Sequence, residues 1–362
     1  MDLLKELKNH KNHNINKKKI FLGYPINLDF DYSEIYNLFE VNLNLLGNPF
    51  DEGARYKYER GLIEYFGNLY QISRSKIWGY TTSGGSEGNM YGLYVARERL
   101  KDPLLFFSRD THYSIEKAAD MLKIPFKVIE SQSNGEINYA SLEKSIKRNS
   151  KEGLIINLNV GSTMKGAIDN PGKIQEILQN SRIKNYYIHA DAAFFGGYLP
   201  FLDKALTERV GGVVDSLAIS GHKFFGTPFP CGIFLAKSRN IRTSNFKEYT
   251  KSHDVTLLGS RSGHSAILLW YLINKKGTKI LEDEAKNCID KAKYLVSGLR
   301  RIKYPVWRND ASNIVYFRKP VREVLDKWIL AVDGNIAHVV TMQHVTQQML
   351  DKFIEDISKT SV

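Results

Sequence analysis

Residues 186–223 read YYIHADAAFFGGYLPFLDKALTERVGGVVDSLAISGHK. Two short apolar runs, 186–191 and 216–220, open and close this stretch. Their length, branched side chains and flanking turn residues favour buried strands over helices. Each run ends on a group that chemistry can use: Asp191 after the first, Ser220-Gly221-His222-Lys223 after the second. The pattern continues outward. Residues 104–108, 126–130, 154–160 and 232–237 are further short apolar runs, and between them 87–100, 114–122 and 171–178 repeat apolar residues at helical spacing. Pro171 opens the last of these at a first-turn position. Strand–helix–strand repetition predicts an α/β fold with a mostly parallel sheet covered on both faces.

The last third has a different rhythm. Residues 260–274 and 279–300 predict two long helices, 314–317 and 337–341 strands of a smaller sheet, and 346–358 a terminal helix. The organisation expected is an N-terminal arm (1–50), a large domain (51–280) and a smaller C-terminal α+β domain (281–362). There is no internal repeat.

Composition narrows the class. The chain has 362 residues, 43% hydrophobic and 25% charged, which is globular. Two cysteines, Cys231 and Cys288, form no disulfide framework. The opening residues are polar and basic, without the apolar core of a secretory signal, and no apolar run is long enough to span a membrane. A cytoplasmic protein is expected. A net charge of +12 raises the question of a nucleic-acid partner. However, 51 basic and 39 acidic residues are spread along the chain, and the one tight run is Lys17-Lys18-Lys19, so a solvated surface is the expectation and a nucleic-acid partner is not. No metal site is expected: His10-x-x-His13 lies in the polar tail, and no cluster has zinc spacing. A Ser-His-Asp hydrolase is not expected either.

Three motifs carry chemistry. Thr81-Thr82-Ser83-Gly84-Gly85-Ser86-Glu87-Gly88-Asn89 opens a helix with glycines and hydroxyls, an arrangement that offers backbone N–H groups to an anion. By itself it is as well read as a turn. Asp191 ends a strand, where ligands bind in open α/β sheets, although an acid there can also cap a turn. Lys223 follows the next strand; in a partly apolar site it would be an amine nucleophile, and otherwise a surface lysine. Together, a phosphate cup, an acid and a lysine at the carboxyl ends of strands meet the needs of pyridoxal 5′-phosphate.

At this point the chain resembles the group II pyridoxal-phosphate-dependent amino acid decarboxylases of fold type I, and within them the bacterial histidine and plant serine enzymes. The likeness runs from Gly23 to about Asp351. It is carried by GYPINLDFDY, WGYTTSGGSEGNMYG, DTHYS, NVGSTMKGAIDN, YIHADAA, SGHKFFGTPFPCG and GSRSGHSAILLW. The resemblance implies a fold type I transferase-like architecture with a seven-stranded sheet, and a homodimer whose active site lies at the subunit interface. It implies that Lys223 carries the cofactor, that Asp191 pairs with the ring nitrogen and that His112 stacks on the ring. Ala193 would lie under the other face. Gly85, Ser86, Ser220 and His222 would attend the phosphate, Thr163 the ring hydroxyl, and Ser260 would reach in from the partner subunit. Tyr249 matches the tyrosine that returns a proton to the α-carbon, which favours decarboxylation over aldehyde synthesis. Tyr24, Tyr80 and Tyr113 are pocket candidates. The substrate expected is L-histidine, with serine or another small amino acid as the alternative. The rival readings are an aminotransferase or aldehyde synthase of the same fold, and a basic binding protein that keeps the fold without the chemistry.

Overall fold

A computed structural model of the chain describes residues 16–35, 57–149, 152–242, 246, 248 and 253–360. Seven strands form the main sheet: β1 (Ile77–Thr82), β2 (Pro103–Ser108), β3 (Phe126–Ile129), β4 (Gly153–Asn159), β5 (Tyr186–Asp191), β6 (Ser216–Ser220) and β7 (Gly232–Lys237). Their spatial order is β1-β7-β6-β5-β4-β2-β3. The pairs β2–β3, β2–β4, β4–β5 and β5–β6 are parallel, while β7 runs antiparallel to both neighbours. β1 therefore points the same way as the parallel set. The carboxyl ends of β1, β2, β4, β5 and β6 all open on one edge, and this places the site.

β1, β4 and β6 are buried at every position, as expected for strands with helices on both faces. One face packs on a core that includes Leu62, Phe66, Ile156, Ile188 and Leu217. The other packs on Tyr91, Leu93, Ile115 and Ala119. β1 is the strand that the apolar-run reading does not pick out, because Gly79 sits in its middle. A Cβ there would lie 2.4 Å from the Phe234 carbonyl oxygen, so glycine is what lets β1 and β7 close.

The smaller sheet is antiparallel, in the order β10 (Ala331–Asp333), β11 (Ile336–Val340), β9 (Ile314–Arg318), β8 (Val306–Arg308). Its own core, with Leu295, Phe317, Trp328, Val339 and Phe353, is built with the terminal helix Gln347–Lys359, which Thr346 caps by accepting the Met349 N–H. The two long helices form one run, Gly263–Arg301, broken at Gly277 (φ 67°, ψ 170°), a conformation that glycine adopts at little cost.

Residues 16–35 pack on both sheets. Leu22 is buried in the smaller sheet's core, and its carbonyl accepts the Val340 N–H at 2.8 Å. Further along, the Asn27 N–H donates to the Lys223 carbonyl (3.1 Å) and its side-chain amide to the Phe224 carbonyl (3.0 Å). Both cysteines are buried and free. No helix among the described residues is long and apolar enough to cross a membrane.

Candidate active site

At the shared strand edge, two cavities meet on either side of Lys223, His112 and Ala193. The larger, about 450 Å³, is lined by Ser83, Gly84, Gly85, Ser86, Ser220 and His222. The smaller, about 90 Å³, reaches Asp191, Thr163, Asn159, Phe194, Tyr24 and His338.

The larger cavity is built by the turn after β1. The helix Gly85–Arg99 starts at Gly84 (φ 142°) without a side-chain cap, so its first N–H groups are left for something else to satisfy. A Cβ on Gly85 would come within 2.8 Å of Ser220 Oγ and 3.0 Å of Ala193 Cβ. A Cβ on Gly88 would lie 2.7 Å from Ala218 Cβ. These glycines seat the helix end directly over β5 and β6. Glu87 turns back, accepting from the Ser83 N–H (2.7 Å) and the Tyr80 hydroxyl (3.1 Å).

Asp191 ends β5, is 7% exposed, and accepts the Ala193 N–H at 3.2 Å. Lys223 leaves β6 toward it. Withdrawal from water pulls the lysine ammonium below its usual range, and the Asp191 charge opposes the shift in part. His112 precedes the helix Tyr113–Leu122, and its Nδ1 accepts the Ser114 N–H, so the imidazole is also a helix cap. Its proton affinity is lowered by burial, raised by Asp191 and lowered again by Lys223. His222 is lowered mainly by burial, and its Nδ1 lies 3.0 Å from the Cys231 carbonyl oxygen.

The donor set fits pyridoxal 5′-phosphate. An uncapped helix start beside Ser86, Ser220 and His222 offers N–H and O–H groups to a phosphate. Ala193, His112 and Lys223 line both cavities, and Asp191 lines the smaller. Lys223, Asp191, His112, Gly85, Ser86, Thr163, Ala193, Ser220 and His222 are thus brought together. Ser260 is not: it is exposed and lines neither cavity. Tyr249 lies outside the described residues. Tyr24 and Tyr113 reach the cavities, but Tyr80 is fully buried in the core.

Sequence reading passes over Asn159, whose amide donates to Ser108 Oγ and Thr111 Oγ1 at 3.0 Å each and braces the loop before His112. It also passes over a buried ion pair. The Glu59 carboxylate accepts from Arg261, from the Thr81 N–H (2.7 Å) and from Thr81 Oγ1 (2.6 Å), which ties the Gly259-Ser260-Arg261 turn to β1. No local signal marks this pair, since its members lie 202 positions apart.

Residues 59–318 match the family model described as the pyridoxal-dependent decarboxylase conserved domain. The chain is 40% identical over 345 residues to the histidine decarboxylase of Vibrio campbellii (strain ATCC BAA-1116), covering 93% of this chain and 89% of that protein. It is 39% identical to serine decarboxylase 2 of Oryza sativa subsp. japonica, covering 93% of this chain and 74% of that protein. Among solved structures, L-methionine decarboxylase from Streptomyces sp. 590 superposes with a TM-score of 0.84 at 24% identity, covering 98% of this chain and 94% of that one. That likeness is one of fold.

Proposed function

The chain belongs to the pyridoxal-dependent decarboxylase family, carboxy-lyases that use pyridoxal 5′-phosphate, and on that premise we propose that its substrate is L-histidine, released as histamine and carbon dioxide. The observation that carries the choice of substrate is coverage. The chain spans 89–90% of the histidine enzymes it resembles but 73–74% of the serine enzymes, at similar identity. L-Serine, giving ethanolamine, is the second reading.

The bound cofactor supplies a conjugated cationic ring that accepts the electron pair left at the α-carbon when carbon dioxide departs. The chain's residues prepare for this. Lys223, its ammonium held below the ordinary lysine range by burial, gives up its proton more readily and so serves attachment and exchange. Asp191 keeps a proton on the ring nitrogen by its charge. His112 and Ala193 confine the ring between them, and the turn Ser83–Ser86 with Ser220 and His222 holds the phosphate. Thr163 attends the ring hydroxyl, and Tyr249 returns a proton to the α-carbon.

We further propose a cytoplasmic homodimer in which Ser260 of each chain completes the partner's site. Its support is that Ser260 is exposed and lines neither cavity of its own chain, shortly after Leu257 and Leu258, which are 38% and 39% exposed. In the division into an arm (1–50), a large domain (51–280) and a small domain (281–362), the last two are supported by the two sheets and their two main cores, although the larger core also takes in residues such as Cys288 and Ile314; residues 1–15 and 36–50 of the arm lie outside the described residues.

The test is amine release from each of the twenty amino acids with added cofactor, alongside light scattering for mass. L-Histidine is expected to give histamine, and Lys223→Ala to lose both turnover and the visible absorption of bound cofactor. Preference for serine would overturn the substrate; no amine from any amino acid would overturn the activity.

A further inference from the structure

His112 is linked to the molecule's interior by a file of four side chains. Ser114 Oγ lies 2.8 Å from His112 Nδ1, and the Asn89 amide donates to Ser114 Oγ at 3.0 Å. His189 Nε2 lies 3.0 Å from Asn89 Oδ1, and Ser216 Oγ lies 2.8 Å from His189 Nδ1. All four side chains are at most 4% exposed. The file is built for its members: a Cβ on Gly92 would sit 2.3 Å from His189 Nδ1, so glycine makes the room that this imidazole occupies.

The direction of the file follows from two independent contacts. The Ser114 backbone N–H points at His112 Nδ1 (3.3 Å), so that nitrogen is an acceptor and carries no hydrogen. The Asn89 NH₂ group already supplies Ser114 Oγ with a donor, leaving the serine hydroxyl free to donate to the same Nδ1. At the other end of the amide, Asn89 Oδ1 accepts from His189 Nε2–H. Nδ1 of His189 then accepts from the Ser216 hydroxyl. A neutral His189 is required throughout, and burial supplies it by lowering that imidazole to about 4. The charged groups acting on His112 are Asp191 and Lys223, with the Tyr113 ring centred 4.3 Å away.

We propose that Asn89 and His189 are positioning residues that fix the proton of neutral His112 on Nε2, so that it presents an N–H to the cavities it lines. The consequence for turnover rests on the reading of His112 as the residue against the cofactor; the proton's position does not. The decisive measurement is ¹⁵N NMR of histidine-labelled protein without cofactor, from about pH 6 to about pH 8. The expected spectrum has an N–H-type shift at His112 Nε2 and an unprotonated-type shift at Nδ1. Asn89→Asp replaces the donor end of the amide with an acceptor, turns the Ser114 hydroxyl away and is expected to move His112 toward Nδ1–H or the imidazolium. His189→Leu should do so in part, while His189→Gln, which can still donate to Asn89 Oδ1, should restore the wild-type signature. With cofactor bound to the same extent, Asn89→Asp should lower kcat at least ~10-fold. An Nδ1–H signal in the wild-type protein, or an unmoved His112 signature in Asn89→Asp and His189→Leu, overturns the proposal. Failure of the wild-type protein to decarboxylate any amino acid would overturn the functional reading while leaving the tautomer result standing.

Discussion

At the scale of single residues the site works by contrast between neighbours. Lys223 and His112 are both eased toward their neutral forms by burial, while the Asp191 charge opposes that shift in each. In the proposed placement under the ring nitrogen, that charge would decide how strongly the ring draws electrons. Asp191→Asn keeps the shape and the Ala193 N–H contact but removes the charge. The cofactor should still load, since Lys223 and the helix start are untouched, and kcat should fall on the order of 100-fold or more. Steady-state amine release at matched cofactor absorbance checks this; a kcat within about threefold of wild type would sink the electrostatic role. Lys223 and Asp191 are legible in the sequence because each follows a recognisable strand end. Asn89 and His189 are not, because a buried amide and a buried imidazole acquire meaning only when the fold brings β5 under the helix Gly85–Arg99.

Elements that touch no cofactor hold the edge in shape. The Glu59–Arg261 pair joins the helix Lys57–Leu69, β1 and the turn before Gly263, and its side chains are 1% and 2% exposed. The Arg261 guanidinium also lies over the Tyr80 ring, 5.3 Å from its centroid. Removing one member leaves the other buried without its counter-charge, which costs ~3–5 kcal/mol. Glu59→Ala should therefore lower the thermal midpoint by several degrees, and Glu59→Gln, which can still accept from Thr81, by less. Equal losses in the two variants would show that packing, not charge, is what matters there. Predicted and observed elements diverge for the same reason that this pair is hidden. Strands β2 to β7 are short, mostly apolar runs and read directly, as do the capped helices at Pro171 and Thr346. β1 is interrupted by Gly79, and β8 and β10 are three residues each, so only pairing with neighbours makes them strands.

For the whole molecule, many of the described charged side chains sit in ion pairs at the surface. Pairs such as Lys101–Glu152 and Arg322–Asp326 are solvent-exposed and contribute little to stability. The response of stability to pH is set instead by groups whose proton affinity changes on folding, most of them buried. His189 falls from 6.5 to about 4, so its contribution is complete above 6.5 and is lost as pH falls toward 4. Asp169, raised from 3.8 to about 7 chiefly by burial, acts in the opposite sense: its contribution is complete below 3.8 and is lost as pH rises toward 7. Over the shared interval the two nearly cancel. The outcome passes to His112, His222, His338 and His344, each lowered mainly by burial and each acting with His189. Asp31, Glu34 and Asp356, held low by their partners, act the same way at the acid end. Stability should therefore decline as pH falls from 6.5 to 4, measured by urea unfolding of the cofactor-free protein at a series of pH values. Asp169→Asn removes the opposing group and should steepen the decline, whereas His189→Asn should flatten it. A level profile in the unmodified chain, or a flatter one in Asp169→Asn, would mean that these groups do not set the acid limit.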